Sequence, residues 1–565
     1  MSERMRIVVI GGVAAGPKAA ARARRLMPNA EITILEKSDF ISYAGCGMPF
    51  YLDDQVPDFQ DLFDTAYWVP RDTGYFARER GIRVLTGTEA LAVDRAARQV
   101  RARDVRTGEE MVFLYDKLVI ATGANPVIPP IEGINLKGVF KLKEPSDAQA
   151  IKEYLPEVQE AVVVGAGFIG MEVAGALANL KILTTVVEFQ DQVLPGVLDP
   201  DMALLFKTRL QSQGIEFLVS EKVMRFEGDE NGRLTRVVTD KRVLDAELAL
   251  VAVGVRPNVA LAREAGLAIG ETGAILVDDR CRTSDPDIYA CGDCVETLHI
   301  LTGRKVYVPL ATTANRQGRV VGDNLAGKDS RFKGILGTAI LQVMIWNAGR
   351  TGLGEKQAKE LGYDVVTTVS PQHDRAHYAP GHSLVILKLI ADRATRRVLG
   401  VQAIGPGEVA KRVDVAASVI HFGGTVDDLV DIDLSYAPPF NMTVDPLQHC
   451  ANATRNKLDG TVEVISVAEL KEKLDRGDDF VLLDVRTDKE FNSRRINDPR
   501  LKHVVMAELR EAVKDLPRDK QIVCMCDLGI RSYEAFRFLL GAGFKNLKSV
   551  EGGMRVWPYG PVGML

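Results

Sequence analysis

Short apolar runs alternate with amphipathic stretches along most of this chain, and glycine turns join them. The run at residues 7–10 (IVVI) reads as a buried parallel strand, and the AAARARRL that follows has helical spacing. The same strand–turn–helix order returns at residues 162–177, VVVGAGFIGMEVAGAL. After Lys457 the pattern resets. A strand, an amphipathic helix, an apolar strand with a charged turn, a further helix, the strand QIVCMC and a last helix follow, which predicts a small α/β domain of roughly 100 residues. The longest apolar stretch, Ala161 to Leu180, holds Glu172 and four glycines, so it is not read as a membrane span.

The glycines in these turns carry chemistry. Gly11 allows a tight turn, Gly16 allows close helix–strand packing, and the helix N-terminus behind them offers free N–H groups to a pyrophosphate. Val13 stands where the middle glycine of G-x-G-x-x-G belongs. Glu36 ends the next strand, ITILEK, 20 residues past Gly16, where a ribose hydroxyl needs an acceptor. The second turn is complete: Gly165, Gly167 and Gly170, with Glu188 closing the strand TTVVE. One glycine-rich turn is often an ordinary βα loop, but two fingerprints 154 residues apart point to two dinucleotides. We expect a tightly held flavin and an exchangeable nicotinamide. Glu188 would repel a 2′-phosphate and FQDQVL after it has no Arg or Lys, which favours NADH over NADPH. Lys37 and Gly254 are added as cofactor contacts.

Length changes the picture next. At 565 residues three or four domains are expected. The 46% hydrophobic and 26% charged fractions are ordinary globular values, and a net charge of −5 gives no reason to expect nucleic acid or an anionic membrane as partner. MSERMRIVVIGG runs straight into a strand, so no signal peptide is read. Seven cysteines in so long a chain do not make a disulfide framework, which suits reduced thiols in the cytoplasm.

Two further segments, YDKLVIATGANP with Thr122 and Gly123, and SDPDIYACGDC with Asp293, resemble those that close the FAD site in two-dinucleotide flavoprotein disulfide reductases. That resemblance implies that Asp293 bonds the flavin's ribityl chain. Cys291 and Cys294 match C-x-x-C, but no second pair completes a metal site, and no metal is expected.

Between these signals lies ISYAGCGMPFYL. Tyr51 occupies the place of a second cysteine, so Cys46 is alone and can cycle through a mixed disulfide, a persulfide or a sulfenic acid. A helix starting near Pro49 is expected to favour its thiolate. The segment, with the first turn GGVAAG, PLATTANRQGRVVGDNLAG, VDVAAS and DLSYAPPF, resembles the coenzyme A disulfide reductase family through about residue 450. The resemblance implies that NADH reduces FAD and the flavin reduces a disulfide between Cys46 and coenzyme A. It further implies that Tyr378 and Tyr436 of a partner subunit assist the leaving thiolate in a homodimer. No histidine precedes His299, which independently favours tyrosine as the acid; His377 and His382 are the runners-up. Coenzyme A is an anion, and Lys18, Arg22 and Arg25 share one face of the first helix. Arg80, Ser42 and Asn315 are the remaining implied contacts.

The departures bear on specificity. Gly45, Ala379 and Val444 replace family residues at the site, which weakens the expectation of tight coenzyme A binding and suits a wider channel for a smaller or protein-bound persulfide. Related peroxidases and NADH oxidases carry a histidine where this chain has Ala14, which argues against peroxide or oxygen as substrate.

In the C-terminal domain, Cys526 closes a strand and CDLGIRS opens a helix, so successive loop N–H groups form an anion nest around the thiol. With LLDVR upstream and EGGMRVWP downstream, this resembles rhodanese sulfurtransferases. The resemblance implies that Cys526 carries sulfane sulfur and that Arg531 orients the loop or substrate. Arg494-Arg495-Ile496 departs from the usual G-H-I, so this edge of the domain is expected to differ. A phosphatase loop would place five residues between Cys and Arg, and here there are four. Cys524 is expected on the opposite face of its strand.

The expected architecture is α/β throughout. An FAD-binding domain spans 1–148 and 249–325, with an NAD-binding domain at 149–248. An α+β dimerisation domain spans 326–450, a linker 451–461 and a rhodanese domain 462–565. The expected activity is reduction of a sulfur–sulfur bond (coenzyme A persulfide, polysulfide or coenzyme A disulfide) at Cys46, coupled to sulfur transfer at Cys526. A sulfur-carrier protein is a further expected partner. The rivals are a coenzyme A disulfide reductase with a silent tail, a sulfur-trafficking or redox-sensing protein, and an NADH oxidase.

Overall fold

The computed structural model describes residues 4–560, and the chain divides into two compact units. One comprises the residues up to Asp191 together with Gly214–Gly337. It holds two five-stranded parallel sheets. The first is ordered Ile288–Ala290, Lys117–Ile120, Arg6–Ile10, Glu31–Leu35, Arg83–Leu85, with Val9 opposite Ile34 and Val119. The second runs Ile215–Val219, Leu183–Glu188, Glu160–Val164, Leu248–Val251, Val139–Phe140. Their central strands are buried on both faces, which is why they read as unbroken apolar runs. Two three-stranded antiparallel sheets and two ribbons, pairing Ala124–Pro126 with Val255–Pro257 and Thr297–Leu298 with Lys305–Val306, complete the unit. The first helix, Ala15–Leu26, lies against Ala311–Leu325 at backbone distance: a Cβ on Gly318 would fall 2.5 Å from the Ala15 carbonyl oxygen.

The other unit joins Gln192–Gln213 to the residues from Thr338 on. It contains an antiparallel sheet ordered Ala339–Val343, Trp346–Gly352, Val398–Gly405, Leu384–Asp392, Val365–His373, and the C-terminal parallel sheet ordered Val464–Ile465, Leu547–Val550, Gln521–Met525, Phe480–Asp484, Leu501–His503. The helix Pro446–Leu458 runs on through the first part of the stretch read as a linker. Asp445 and Gln448 form its capping box, and Leu447, Cys450, Ala451 and Thr454 bury one face of it.

The segment Gln192–Gln213 belongs to this unit for an electrostatic reason. Lys388, in the middle of an apolar strand and 2% exposed, places its ammonium 3.1 Å from Asp199, 2.9 Å from Asp201 and 2.7 Å from Glu355. A buried ammonium is tolerated only with such company. Removing it strands buried carboxylate charge, so Lys388→Met should destabilise this unit by about 3–5 kcal/mol. Scanning calorimetry checks this, and an unshifted transition would show that the network is not a fastening.

Candidate functional site

The two dinucleotide turns are built alike. Gly11 has φ +107°, and a Cβ there would sit 2.1 Å from the Ala121 carbonyl oxygen; one on Gly16 would sit 2.0 Å from that of Gly11. Gly165 (φ +104°) and Gly170 repeat this against Ala252 and Gly165, at 2.5 and 2.0 Å. Neither Val13 nor Gly167 has a left-handed backbone, which is why a side chain is tolerated at the former. The carboxylates match as well. Glu36 accepts from the N–H groups of Gly12 (2.6 Å) and Ser38 (2.8 Å), and Glu188 from those of Ala166 (2.7 Å) and Gln190 (2.8 Å). Burial pushes the Glu36 carboxyl up. Lys37, beside it, is paired with Glu89 at 2.8 Å.

The Ala-Thr-Gly turn is tied down by the Thr122 hydroxyl, which donates to the Asn258 carbonyl at 2.7 Å; Gly123 follows at φ +68°. Asp293 is half-buried, and desolvation pushes its carboxyl up. Its charge reaches Tyr307, whose hydroxyl is buried with no hydrogen-bond partner among the described residues and is pushed up by burial and Asp293. No sequence signal marks Tyr307. Cys291 and Cys294 are buried thiols of the same segment: Cys294 donates to the carbonyls of Ile120 (3.5 Å) and Cys291 (3.4 Å) and is pushed up to about 11 by burial.

Cys46 lies in the single turn Gly45–Gly47 ahead of the short helix Met48–Leu52, and its residue is exposed while the other six cysteines are buried. Its thiol is pushed up, first by desolvation around the sulfur, then by the charges of Glu172 and Asp293. The expected thiolate-favouring helix end is therefore overruled: five residues of helix oppose desolvation and two carboxylates. Glu172 belongs to the helix Phe168–Asn179 of the second fingerprint, and nothing in its spacing foretold this role.

The basic residues near the first turn are only partly available. Arg22 is paired with Asp323 at 2.6 Å, Arg80 donates to the Tyr75 hydroxyl at 3.1 Å, and Asn315 donates to the Ala311 carbonyl at 3.0 Å. Among the described residues Arg25 is exposed and bonds only its own helix, at the Ala21 carbonyl, and Lys18 is half-buried beside Gly318. Ser42, at φ +53°, donates its N–H to the Gly12 carbonyl at 2.8 Å and so locks the cysteine segment to the first turn.

In the other unit the two tyrosines meet. Tyr378 is 66% and Tyr436 48% exposed, and the neighbouring Tyr378 hydroxyl pushes Tyr436 up. Phe440 and Val444 add exposed apolar surface, while Ala379 is buried. His377 stacks edge-on against Tyr378, and His382 against His373.

Cys526 follows the strand Gln521–Met525 and is 1% exposed. The Gly529 N–H donates to its sulfur at 3.1 Å, and the Ser532 hydroxyl lies at 3.6 Å. Gly529, at φ +93°, turns the chain into the helix Ile530–Gly541. Arg531 is held in a fork by Glu490, at 2.8 and 2.6 Å, which draws that carboxyl down to about 2, and its charge also reaches Cys526. Beneath the loop, Asp484 and Arg486 form a buried pair at 2.7 Å, and Arg486 donates to the carbonyls of Glu490 and Arg494. Cys524 does not face away from Cys526. Both pack into one apolar cluster, because alternation along a strand has period two and residues 524 and 526 share a face.

Residues 5–318 match pyridine nucleotide-disulphide oxidoreductases, residues 338–446 their dimerisation domain, and residues 466–558 the rhodanese-like domain. The chain belongs to the pyridine nucleotide-disulphide oxidoreductase family. It is 40% identical, over 79% of its length and 98% of the relative's, to the "NAD(P)H coenzyme A polysulfide/persulfide reductase" of Pyrococcus horikoshii. The structure of a NAD-dependent persulfide reductase from A. fulgidus is 44% identical with a TM-score of 0.93, over 98% of this chain and 100% of that one. Reduced Bacillus anthracis CoADR-RHD is 34% identical with a TM-score of 0.90, over 98% of each. Among the described residues, no helix is long and apolar enough to cross a membrane.

This family of oxidoreductases uses FAD and NAD(P)H, and the side chains present fit both. At the first turn, the partnerless Tyr307 hydroxyl and the desolvated Asp293 await polar groups that the protein does not supply. At the second, the helix Phe168–Asn179 starts with no side-chain cap, and space is open at Gly167 and Gly254, as a pyrophosphate requires. Because Glu172 holds the Cys46 thiol up, Glu172→Gln should lower its pKa and raise the rate of iodoacetamide alkylation at pH 8 severalfold. Mass spectrometry of the alkylated peptide measures this; an unchanged rate–pH profile would remove Glu172 from the cysteine's field.

Proposed function

We propose that this chain reduces the sulfur–sulfur bond of a persulfide, polysulfide or coenzyme A disulfide at Cys46, and that Cys526 handles the sulfane sulfur. The observation that carries this reading is that Cys46 is exposed while every other cysteine is buried. An internal dithiol is thus unavailable, and the bond broken is one to an external sulfur. The relative from Pyrococcus horikoshii is named for coenzyme A polysulfide and persulfide, which is the same class of bond.

Bound FAD would supply the electron pair that NADH delivers as hydride, held by the first turn, Thr122, Gly123 and Asp293. NADH is favoured because Glu188 would stand at its ribose. The Cys46 thiolate attacks a persulfide R–S–SH at the sulfur bonded to R, expelling hydrosulfide HS⁻ and leaving Cys46 joined to R–S. Two electrons and a proton then break that bond and release the thiol, so the sum is one NADH and one persulfide R–S–SH to one NAD⁺, one thiol and one hydrosulfide. The neighbouring phenols Tyr378 and Tyr436 are suited to giving a proton to a departing sulfur. Their exposure, with Phe440 and Val444, fits a homodimer in which they serve the partner's Cys46. Lys18 and Arg25 remain as cations for a phosphorylated thiol. Seven unpaired cysteines suit the cytoplasm.

The test is anaerobic NADH consumption by the purified protein on coenzyme A persulfide against coenzyme A disulfide. Faster turnover on persulfide, with sulfide released, supports the reading. Cys46→Ser should abolish turnover, and Cys526→Ser should lower only the reaction fed by a sulfane-sulfur donor. Preference for the disulfide, untouched by Cys526→Ser, would leave a disulfide reductase with a silent tail. In the same assay Tyr378→Phe and Tyr436→Phe should each slow turnover about a hundredfold, whereas parent rates would show that neither phenol gives the proton.

A further inference from the structure

Arg412 is among the most deeply buried side chains of its unit, and its place is electrostatically unfavourable twice over. It is 1% exposed, and it stands in the first turn of the helix Val409–His421, the end whose dipole disfavours a cation. Among the described residues one acid answers the charge: Asp445 lies 2.9 Å from Nη2 and 3.1 Å from Nε. The other bonds of the guanidinium go to uncharged oxygens. Nη1 donates to the Glu408 carbonyl at 3.0 Å, at the start of its own helix. Nη2 divides between the Asp374 carbonyl at 2.7 Å and Oδ1 of Asn441 at 3.0 Å.

Those two acceptors stand at the bases of two loops. Asp374 closes the loop that carries Tyr378: its N–H donates to the Ser383 carbonyl at 2.8 Å, and its carboxylate accepts from the Ser383 N–H at 2.9 Å. Asn441 closes the loop that carries Tyr436. Its Nδ2 donates to the Ser435 carbonyl at 3.1 Å and its own N–H to the Ala437 carbonyl at 3.1 Å. Each loop presents a phenol at the surface, and the two phenols are neighbours. One planar guanidinium thus lies beneath both loops, and the fixed directions of its N–H groups set the spacing of their bases. The pair with Asp445 answers the charge by itself, so the bonds to Asp374 and Asn441 serve the loops.

We propose that Arg412 is the positioning residue that holds the phenols of Tyr378 and Tyr436 side by side, where they give a proton to the sulfur departing at Cys46. The proposal rests on the tyrosine reading above and adds what fixes the pair. When the thiolate departs, a phenol O–H bond breaks, an S–H bond forms, and the phenolate regains its proton from water. Arg412 exchanges no proton in that step. Its contribution is orientation, and a misplacement of about 1 Å can slow a reaction about a hundredfold. A lysine in its place keeps a positive charge for Asp445, but its donors share one nitrogen and do not span Asp374 and Asn441 together.

The test uses the full FAD-loaded protein, reduced with NADH, and follows release of the first thiol in a single turnover. Two substrates are compared. Coenzyme A disulfide expels a basic alkyl thiolate, whereas the mixed disulfide of coenzyme A with thionitrobenzoate expels an aromatic thiolate that leaves without a proton. Arg412→Lys should slow the first about tenfold and leave the second at the parent rate. The same change made in Tyr378→Phe should slow the first no further. Asn441→Ala keeps the Arg412–Asp445 pair, should show the same selectivity to a smaller degree, and replaces Arg412→Lys if that variant does not fold. Equal slowing of both substrates would make Arg412 a structural residue only, and parent rates on both would equally overturn the proposal. Parent rates in Tyr378→Phe and Tyr436→Phe would remove the phenols as donors, and this inference with them. Slowing in those two variants but not in Arg412→Lys would keep the tyrosine reading and sink this inference alone.

Discussion

Both dinucleotide folds depend on one steric constraint, the crossing of the first helix over its own strand turn. At each crossing a carbonyl oxygen lies about where a side chain would begin, 2.0 Å from a Cβ on Gly16 or Gly170. That approach aims the helix N–H groups at the turn, and it places the end of the neighbouring strand close enough for Glu36 or Glu188 to accept from the same loop. A larger residue at either crossing would displace the helix, and with it the N–H groups, the carboxylate and, on the second helix, Glu172. The field at Cys46 is therefore set in part by a glycine two residues before Glu172.

What was legible in the sequence follows from this. Gly11, Gly16, Gly165 and Gly170 are required by backbone geometry within one βα unit, so spacing alone reveals them, and CDLGIRS is legible for the same reason. Lys388, Tyr307, Glu172 and Arg412 were not legible, because each meets its partners only after distant segments have packed. Lys388 stands in a strand that otherwise reads as apolar, and its three acids lie in two other segments. The expectation for Cys524 failed on local geometry, since the period-two rule puts it on the face of Cys526. The thiolate expected at Cys46 failed on magnitude: the end of a five-residue helix is a weaker influence than desolvation beside two carboxylates.

The departure at Arg494-Arg495-Ile496 shows how a local exception acquires meaning from its surroundings. Arg494 spans the rim of the rhodanese domain by bonding two carbonyls of the Glu551–Pro558 segment, which in turn holds the backbone of Cys526 and Asp527.

The two candidate thiols, Cys46 and Cys526, stand in opposite electrical surroundings. Around Cys46 the influences are desolvation, Glu172 and Asp293, all of which oppose a negative sulfur. Around Cys526 they are the Gly529 N–H and the charge of Arg531, both of which receive one. A persulfide anion is held where amide and guanidinium groups surround it, and is driven onward where carboxylates do. The difference comes from the elements that deliver each cysteine. Cys526 ends a strand at a loop wrapped by its own N–H groups, whereas Cys46 precedes a helix too short to offer the same and faces acids from the segments around it.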